Sequence, residues 1–120
     1  MRVVIIGSGN VASVMGRLIK QNHHEIVQVV SRNAVHAKVL ADELHCPYSD
    51  NSSVIDKTAD LYIIAVNDGA LYELNKSFNI GNKLILHTAG SVPKDVLKDI
   101  STNYGVIYPL QSLRKEMEYH

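Results

Sequence analysis

The sequence has little cysteine and no excess of charge of either sign, and each of these facts excludes some classes of protein. Cys46 is the single cysteine, so no internal disulfide can form, and no CxxC or HExxH spacing marks a metal site. Twelve basic and twelve acidic side chains cancel. No overall field therefore favours nucleic acid or an anionic membrane surface, and any anion-binding site must be local.

Long hydrophobic runs are also missing. No stretch approaches the roughly eighteen apolar residues of a membrane span, and the opening run at residues 3–6 is too short for the core of a signal peptide. We therefore expect a cytoplasmic protein. Its 120 residues fit one compact domain.

Short continuous apolar runs alternate along the chain with longer stretches of helical periodicity. This alternation is typical of strands buried on both faces of a sheet and of helices that cover them. The fourth apolar run is the strongest and should form a central strand. The predicted strands are residues 2–6, 26–30, 46–48, 61–66, 83–87 and 104–108.

Four helices are predicted between these strands. A third helix should begin after Asp68, which suits an N-cap, and a fourth should begin near Pro93. The pattern predicts a doubly wound α/β Rossmann fold, with a mainly parallel sheet in the order 3-2-1-4-5-6 and helices on both faces. The apolar stripes are Val11, Val14, Met15, Leu18 and Ile19 on the first helix, and Ala37, Leu40, Ala41 and Leu44 on the second.

A glycine-rich segment lies between the first predicted strand and the first predicted helix. Residues 7–12 fit the pattern G-x-G-x-x-G/A, and this position between strand and helix is the one that a dinucleotide-binding turn needs. Gly7 permits the tight turn, Gly9 lets a pyrophosphate approach the backbone, and small Ala12 lets the helix pack closely. The other members of this phosphate loop, which would contact the phosphates through backbone or side chain, are Ser8, Asn10 and Val11.

Two alternatives to a nicotinamide dinucleotide stay open for this turn. It could be a glycine turn that binds nothing, or one that binds a different nucleotide-like ligand such as S-adenosylmethionine. Enzymes that use S-adenosylmethionine generally place an acidic residue at the end of the second strand. That position carries no acid here.

The end of the second strand carries Ser31, Arg32 and Asn33. An enzyme specific for NAD usually places Asp or Glu there, against the ribose hydroxyls. A serine hydroxyl, a guanidinium and the start of the next helix would instead hold the 2′-phosphate of NADP, which Arg32 could bind bidentately. The sequence therefore predicts NADP(H) as the cofactor, although Arg32 could also be a solvated charge at a strand end.

The loops after the fourth and fifth strands should flank the nicotinamide half of the cofactor, because ligands of open α/β sheets lie across the carboxyl ends of the strands. His87 is a weak candidate for proton transfer, since imidazole titrates near neutral pH, and the favoured alternative is that its ring holds a neighbouring loop in place. The predicted cofactor contacts in these loops are Ala65, Val66, Asn67, His87, Thr88, Ala89 and Gly90.

Four segments together resemble one known family. They are the phosphate loop at residues 7–12, Ser31-Arg32, the sequence HTAGS at residues 87–91 and the sequence YPLQ at residues 108–111. The chain resembles, over essentially its whole length, the N-terminal Rossmann-like domain of proteins with a DUF2520 C-terminal domain. That group is similar to pyrroline-5-carboxylate reductase, 6-phosphogluconate dehydrogenase and F420-dependent NADP oxidoreductase.

The resemblance implies partners as well as a fold. It implies a helical C-terminal domain, absent from these 120 residues, that closes over the nicotinamide, contributes substrate contacts and forms a homodimer. The predicted function is the NADP(H)-binding domain of an oxidoreductase that transfers hydride between nicotinamide and a small molecule. The alternative is a module that senses NADP(H) without chemistry. No nucleic-acid or membrane partner and no metal is expected.

Overall fold

The computed structural model of the chain describes residues 1–50, 54–66, 79–88 and 97–106. Within these residues six strands form one sheet in the order β3-β2-β1-β4-β5-β6, and every neighbouring pair is parallel. The order is the predicted one, with the most apolar strand at the centre beside β1. The strands are β1 (Arg2–Ile6), β2 (Glu25–Val30), β3 (Tyr48–Ser49), β4 (Leu61–Ile64), β5 (Leu84–His87) and β6 (Asn103–Val106).

The third strand is shorter than the sequence pattern suggested and begins later. The backbone N–H of Cys46 donates to the carbonyl of Ala41 at 3.0 Å, so this residue closes the preceding helix instead of extending a strand. Pro47 has no N–H to donate and enters the ladder only as an acceptor, from Val29 at 3.0 Å. Regular pairing therefore starts at Tyr48. The predicted end of the sixth strand, residues 107–108, lies outside the described residues.

Two helices, α1 (Asn10–Gln21) and α2 (Ala34–Leu44), pack on the same face of the sheet. The apolar stripe predicted for α2 is confirmed, because all four of its residues are buried. The stripe predicted for α1 is partly wrong. Val11 remains 37% exposed, whereas the buried line of α1 runs through Ala12, Met15 and Gly16.

Small residues determine which side of α1 faces the sheet. Ala12 is fully buried against the sheet. A Cβ on Gly16 would lie 2.7 Å from the Cδ1 atom of Leu44, so the two helices approach as closely as a glycine allows. The side of α1 that packs closely on its neighbours is therefore the side with the smallest side chains. The larger Val11 faces away from the core.

The opposite face of the sheet has its own core. Tyr62, Ile64 and Ile85 lie there beneath residues from the connecting segments, among them Leu97 and Ile100. Residues 97–100 form a turn closed by the N–H of Ile100 donating to the carbonyl of Leu97 at 2.9 Å. The helices predicted after Asp68 and Pro93 lie otherwise outside the described residues.

A polar cluster fastens the amino ends of β1 and β4, at the end of the sheet away from the glycine loop. The carboxylate of Asp56 accepts from the hydroxyl of Thr58 at 2.6 Å and from its backbone N–H at 2.8 Å. Arg2 donates to the Thr58 hydroxyl at 2.8 Å and lies 3.6 Å from Asp56. The bonds from Thr58, first through its hydroxyl, lower the pKa of Asp56 below its ordinary value.

Neither of the two described helices has the length and the apolar character that crossing a membrane would require.

Candidate functional site at the carboxyl edge of the sheet

The turn that leaves β1 is built around Gly7. This residue has φ +127°, a conformation that side-chain-bearing residues rarely adopt. Its N–H donates to the carbonyl of Val30 at 2.7 Å, and a Cβ placed on it would overlap the backbone carbonyl of Ala65. The chain's own geometry therefore requires glycine at this position, where β1, β2 and β4 converge.

Gly9 differs from Gly7 in every one of these respects. Its φ of −83° and ψ of −166° are open to any residue, and it caps the N-terminus of α1. No atom of the described residues lies within 4 Å of a Cβ built on it. The fold therefore does not require a glycine here, and the bare backbone faces open space at the carboxyl edge of the sheet.

The N-terminus of α1 opens onto the same space. Its first intrahelical hydrogen bond is from the N–H of Ser13 to the carbonyl of Gly9 at 3.0 Å, so the preceding N–H groups have no partner inside the helix. Among the described residues no side chain caps this end, and its first turn has no acid. Unopposed N–H groups and the positive end of the helix dipole favour an anion such as a phosphate.

A direct hydrogen bond joins the phosphate loop to the end of β2. The hydroxyl oxygens of Ser8 and Ser31 lie 2.7 Å apart, and both residues are half-buried. The Ser31 oxygen also accepts from the N–H of Asn33 at 3.3 Å, while the Ser31 N–H donates to the carbonyl of Ser49 at 2.9 Å. Two segments that the sequence assigned separately to the cofactor are thus brought together.

The turn between β2 and α2 has a helix cap in it. The side-chain oxygen of Asn33 accepts from the N–H of His36 at 3.0 Å and caps α2. Since this oxygen is the cap of α2, the contact of Asn33 with the 2′-phosphate stays a prediction. Arg32 is exposed at the same turn, at the edge of the sheet where the sequence placed the 2′-phosphate.

The ends of β4 and β5 complete the edge. Val66 approaches the glycine turn, with its Cγ1 atom 3.5 Å from a Cβ built on Gly7. Both the N–H and the hydroxyl of Thr88 donate to the carbonyl of Ile64, at 3.1 and 3.3 Å, so this hydroxyl fastens two strands together. Three further predicted contacts, Asn67, Ala89 and Gly90, lie outside the described residues.

His87 ends β5 and is fully buried, with 0% of its surface exposed. It follows Ile85 by two residues along the strand and therefore shares its face of the sheet. A ring without exposed surface favours the structural interpretation over direct proton exchange with a substrate. Its catalytic role stays a prediction.

Two features of this edge were not predicted from the sequence. The carbonyl of Ala65 packs against Gly7, and a backbone atom carries no signal in a sequence. His36 lies in the first turn of α2, four residues after Arg32. Its backbone N–H is the donor to the Asn33 cap at 3.0 Å, a bond that was not assigned from the sequence.

The sheet order, the tight glycine turn and the open N-terminus of α1 define a Rossmann-type dinucleotide-binding domain. The sequence profile of a family described as coenzyme F420-dependent NADP oxidoreductase matches residues 2–90. The chain belongs to this family, and it is accordingly an NAD(P)-binding domain of oxidoreductase type. A sequence comparison with curated proteins gives no significant match.

Several solved structures share the fold. The Bacteroides fragilis protein BF3122, a candidate NADP oxidoreductase, is 20% identical with a TM-score of 0.69; the alignment covers 98% of this chain and 64% of that one. The 1-pyrroline-5-carboxylate reductase of Streptococcus pyogenes is 23% identical, also with a TM-score of 0.69, over 84% of this chain and 38% of the reductase.

An imine reductase from Pseudomonas sp. is 22% identical with a TM-score of 0.65, over 82% of this chain and 35% of that enzyme. The chain thus spans about one third to two thirds of the length of these similar proteins. At such identities the likeness shows the fold alone.

Proposed function

We propose that this chain binds NADP(H) and serves as the cofactor domain of an oxidoreductase that transfers hydride to or from a small molecule. The observation that carries the proposal is the turn after β2, where Ser31 and Arg32 stand in place of an acidic residue. The hydroxyl oxygen of Ser31 lies 2.7 Å from the hydroxyl oxygen of Ser8 in the phosphate loop. The proposed contact to the ribose phosphate and the proposed contacts to the pyrophosphate would therefore lie next to each other.

The phosphate loop fits a pyrophosphate. Gly9 has open space where a side chain would project, so a phosphate can reach the backbone. The N–H groups at the start of α1 face that space and would donate to the phosphate oxygens. The sequence assigned Asn10 and Val11 to the same contact, and both are exposed there.

The turn after β2 fits a 2′-phosphate. The Ser31 hydroxyl, the exposed Arg32 guanidinium and the start of α2 offer donors and positive potential, and no carboxylate in the sequence 31–33 opposes them. Within residues 31–33 themselves, a ribose with two hydroxyls would meet no acidic acceptor. The donor set therefore favours NADP(H) over NAD(H).

When bound, the nicotinamide ring supplies hydride chemistry. The residues of this chain would orient the cofactor, and a substrate would come from elsewhere. Because similar proteins extend well beyond the matched region, we propose that a further helical domain, as in the DUF2520 proteins, supplies the substrate contacts and the homodimer interface. Coenzyme F420, which the family's description names, is a first compound to test as the partner in hydride transfer.

The experiment compares Arg32→Ala with wild type by calorimetric titration with NADPH and NADH. Loss of a charge-assisted hydrogen bond of about 1.5–3 kcal/mol should weaken NADPH binding roughly ten- to a hundredfold. NADH binding should stay nearly unchanged. Equal losses for both cofactors would contradict the phosphate role of Arg32.

Arg17→Ala is the matched control. Arg17 is exposed on α1 and pairs with Glu43 at 2.7 Å, so its replacement removes one positive charge from the same domain without touching the turn after β2. NADPH affinity should be the same as in wild type. A similar loss in this variant would mean that net charge, and not a specific contact, sets the preference.

A further inference from the structure

We infer that this chain has a docking surface for an amphipathic helix, on the sheet face that carries α1 and α2 and over β5 and β6. The inference rests on the further helical domain of the proposed function and names the contact that this domain would make here. The floor of the surface is formed by Leu84 and Leu86 of β5 with Gly105 of β6, and its side by Val11 and Leu18 of α1. We call it the β5–β6 surface.

The floor follows from strand alternation and register. Ile85 belongs to the core on the opposite face, so the residues before and after it, Leu84 and Leu86, lie on the face of α1 and α2. Leu86 is the ladder partner of Gly105. A Cβ on Gly105 would lie 3.2 Å from the Cδ2 atom of Leu86. Leu86 therefore leans toward β6, where Gly105 contributes no side chain.

The two described helices cover only part of this face. α2 packs on β2 and β3, and α1 packs on β1 and β2. The buried core beneath them ends at β4, with Ile63 and Ala65. Leu84 and Leu86 are half-buried and belong to neither of the two cores formed by the described residues. Because parallel sheets are ordinarily covered on both faces, the part over β5 and β6 is suited to a further element.

α1 presents an apolar flank to the same part of the sheet. Its contacts with α2 involve Gly16, Arg17 and Lys20, which lie on one side of the helix. Val11 and Leu18 are two turns apart and lie on the opposite side, toward β4 and β5. Val11 is 37% exposed and Leu18 is half-buried. This flank therefore adds apolar side chains along one border of the floor.

The width of the surface suits one helix. Neighbouring strands lie about 4.8 Å apart, so β5 is about 10 Å from β1. The axes of packed helices are about 8–10 Å apart. A helix laid over β5 beside α1 would therefore contact Leu18 at its side and Leu86 beneath it. An apolar stripe on such a helix would bury both leucines.

A helix of the further domain is the occupant to which we commit. This chain spans about one third to two thirds of the length of the similar proteins, so those proteins contain additional polypeptide. The surface borders β6, the last of the described strands, and so lies beside the end of the described chain.

A second copy of this chain suits the surface less well. The exposed apolar ridge that a copy could insert is Val35 and Val39 of α2, which are 71% and 64% exposed. That ridge lies on a different part of the molecule from the β5–β6 surface. The contact would therefore be head-to-tail, which builds rings or filaments and not a closed pair.

The test uses the 120-residue chain and a peptide of about fourteen Leu and Lys residues, with leucines at i, i+3, i+4 and i+7 so that one side of its helix is apolar. Calorimetric titration measures the Kd of this peptide for wild type, Leu18→Gln and Leu86→Gln. Both variants should bind it about three- to tenfold more weakly, because each loses an apolar contact. Leu18→Gln changes the outer flank of a helix and keeps the test decisive if Leu86→Gln does not fold.

Val39→Gln is the matched control. Val39 is 64% exposed on α2, so the same change of side chain is made away from the β5–β6 surface, and the Kd for the peptide should equal that of wild type. NADPH affinity should be the same in every folded variant, since none changes the phosphate loop or the turn after β2. Sedimentation velocity of wild type without peptide should show a monomer.

No binding of the peptide, or equal binding to wild type and Leu18→Gln, would overturn the inference. An assembly of wild type that Leu18→Gln dissociates would also overturn it, because a second copy would then be the occupant. If peptide binding depends on Leu18 but NADPH is not preferred over NADH, only the proposed cofactor fails. If NADPH is preferred but the peptide does not distinguish the variants, only the docking surface fails.

Discussion

Gly7 and Gly9 belong to one motif, yet the structure assigns them different reasons for being glycine, and single alanine substitutions should separate the two. At Gly7 both the positive φ and the carbonyl of Ala65 exclude a Cβ. Forcing alanine into such a conformation costs about 1–3 kcal/mol before any overlap is relieved. Gly7→Ala should therefore lose both stability and cofactor binding.

Gly9→Ala should lose only cofactor binding. The φ of −83° is ordinary and no described atom lies within 4 Å of the new Cβ. Reduced entropy of the unfolded chain should stabilise the variant by about 0.4–1 kcal/mol, while alanine is a poorer N-cap than glycine by about 0.5–1 kcal/mol. The two terms nearly cancel, and the free energy of unfolding should stay within about 0.5 kcal/mol of wild type.

The added methyl group of Gly9→Ala would occupy the space through which the pyrophosphate reaches the backbone. Overpacking of that kind costs about 1–3 kcal/mol, which is roughly a five- to a hundredfold loss of affinity for NADPH. Urea unfolding and calorimetric titration of the two variants measure both quantities. Unchanged NADPH affinity in Gly9→Ala would refute the phosphate-loop assignment, and unchanged stability in Gly7→Ala would refute the geometry of the turn.

Two further predictions concern titration. The hydrogen bonds from Thr58 lower the pKa of Asp56 below its ordinary value of 3.8. The charged carboxylate therefore stabilises the fold above pH 3.8, and this contribution is lost as the pH falls below that value. In urea unfolding between pH 3 and pH 7, the free energy of unfolding of Asp56→Asn should fall less steeply with decreasing pH than that of wild type, and identical profiles would contradict this. Burial raises the pKa of the Cys46 thiol from 9.0 to about 11. Because the reactive thiolate is then about a hundredfold scarcer, iodoacetamide at pH 8 should modify the folded chain about a hundredfold more slowly than the chain in urea. Equal rates would mean that the thiol is not buried.

Much of the fold could be predicted because the sheet is buried on both faces. Continuous apolar runs such as 61–64 favour strands buried on both faces, and the order of the six strands is the one expected for alternating strands and helices of a doubly wound fold. The end of α2 and the start of β3 were harder to predict. The apolar pattern around Cys46 fits a helix C-terminus as well as it fits a strand. Only the hydrogen bond from the Cys46 N–H to the Ala41 carbonyl distinguishes the two.

The side of α1 that faces the sheet was harder still to predict. Hydrophobicity favours Val11 over Gly16 as a buried residue, but close approach of α1 to Leu44 depends on the absence of a side chain. At the candidate site, the sequence identified Ser8 and Ser31 but not the hydrogen bond between them. A contact between residues twenty-three positions apart follows from strand register and turn geometry, which no local pattern records.

A calorimetric titration of the unmodified chain with NADPH and with NADH tests most directly the claim that this chain binds NADP(H) at the carboxyl edge of its sheet. At one moderate salt concentration, NADPH should bind roughly ten- to a hundredfold more tightly than NADH, as a charge-assisted contact to the 2′-phosphate requires. Equal affinity for the two cofactors, or tighter binding of NADH, would contradict the claim.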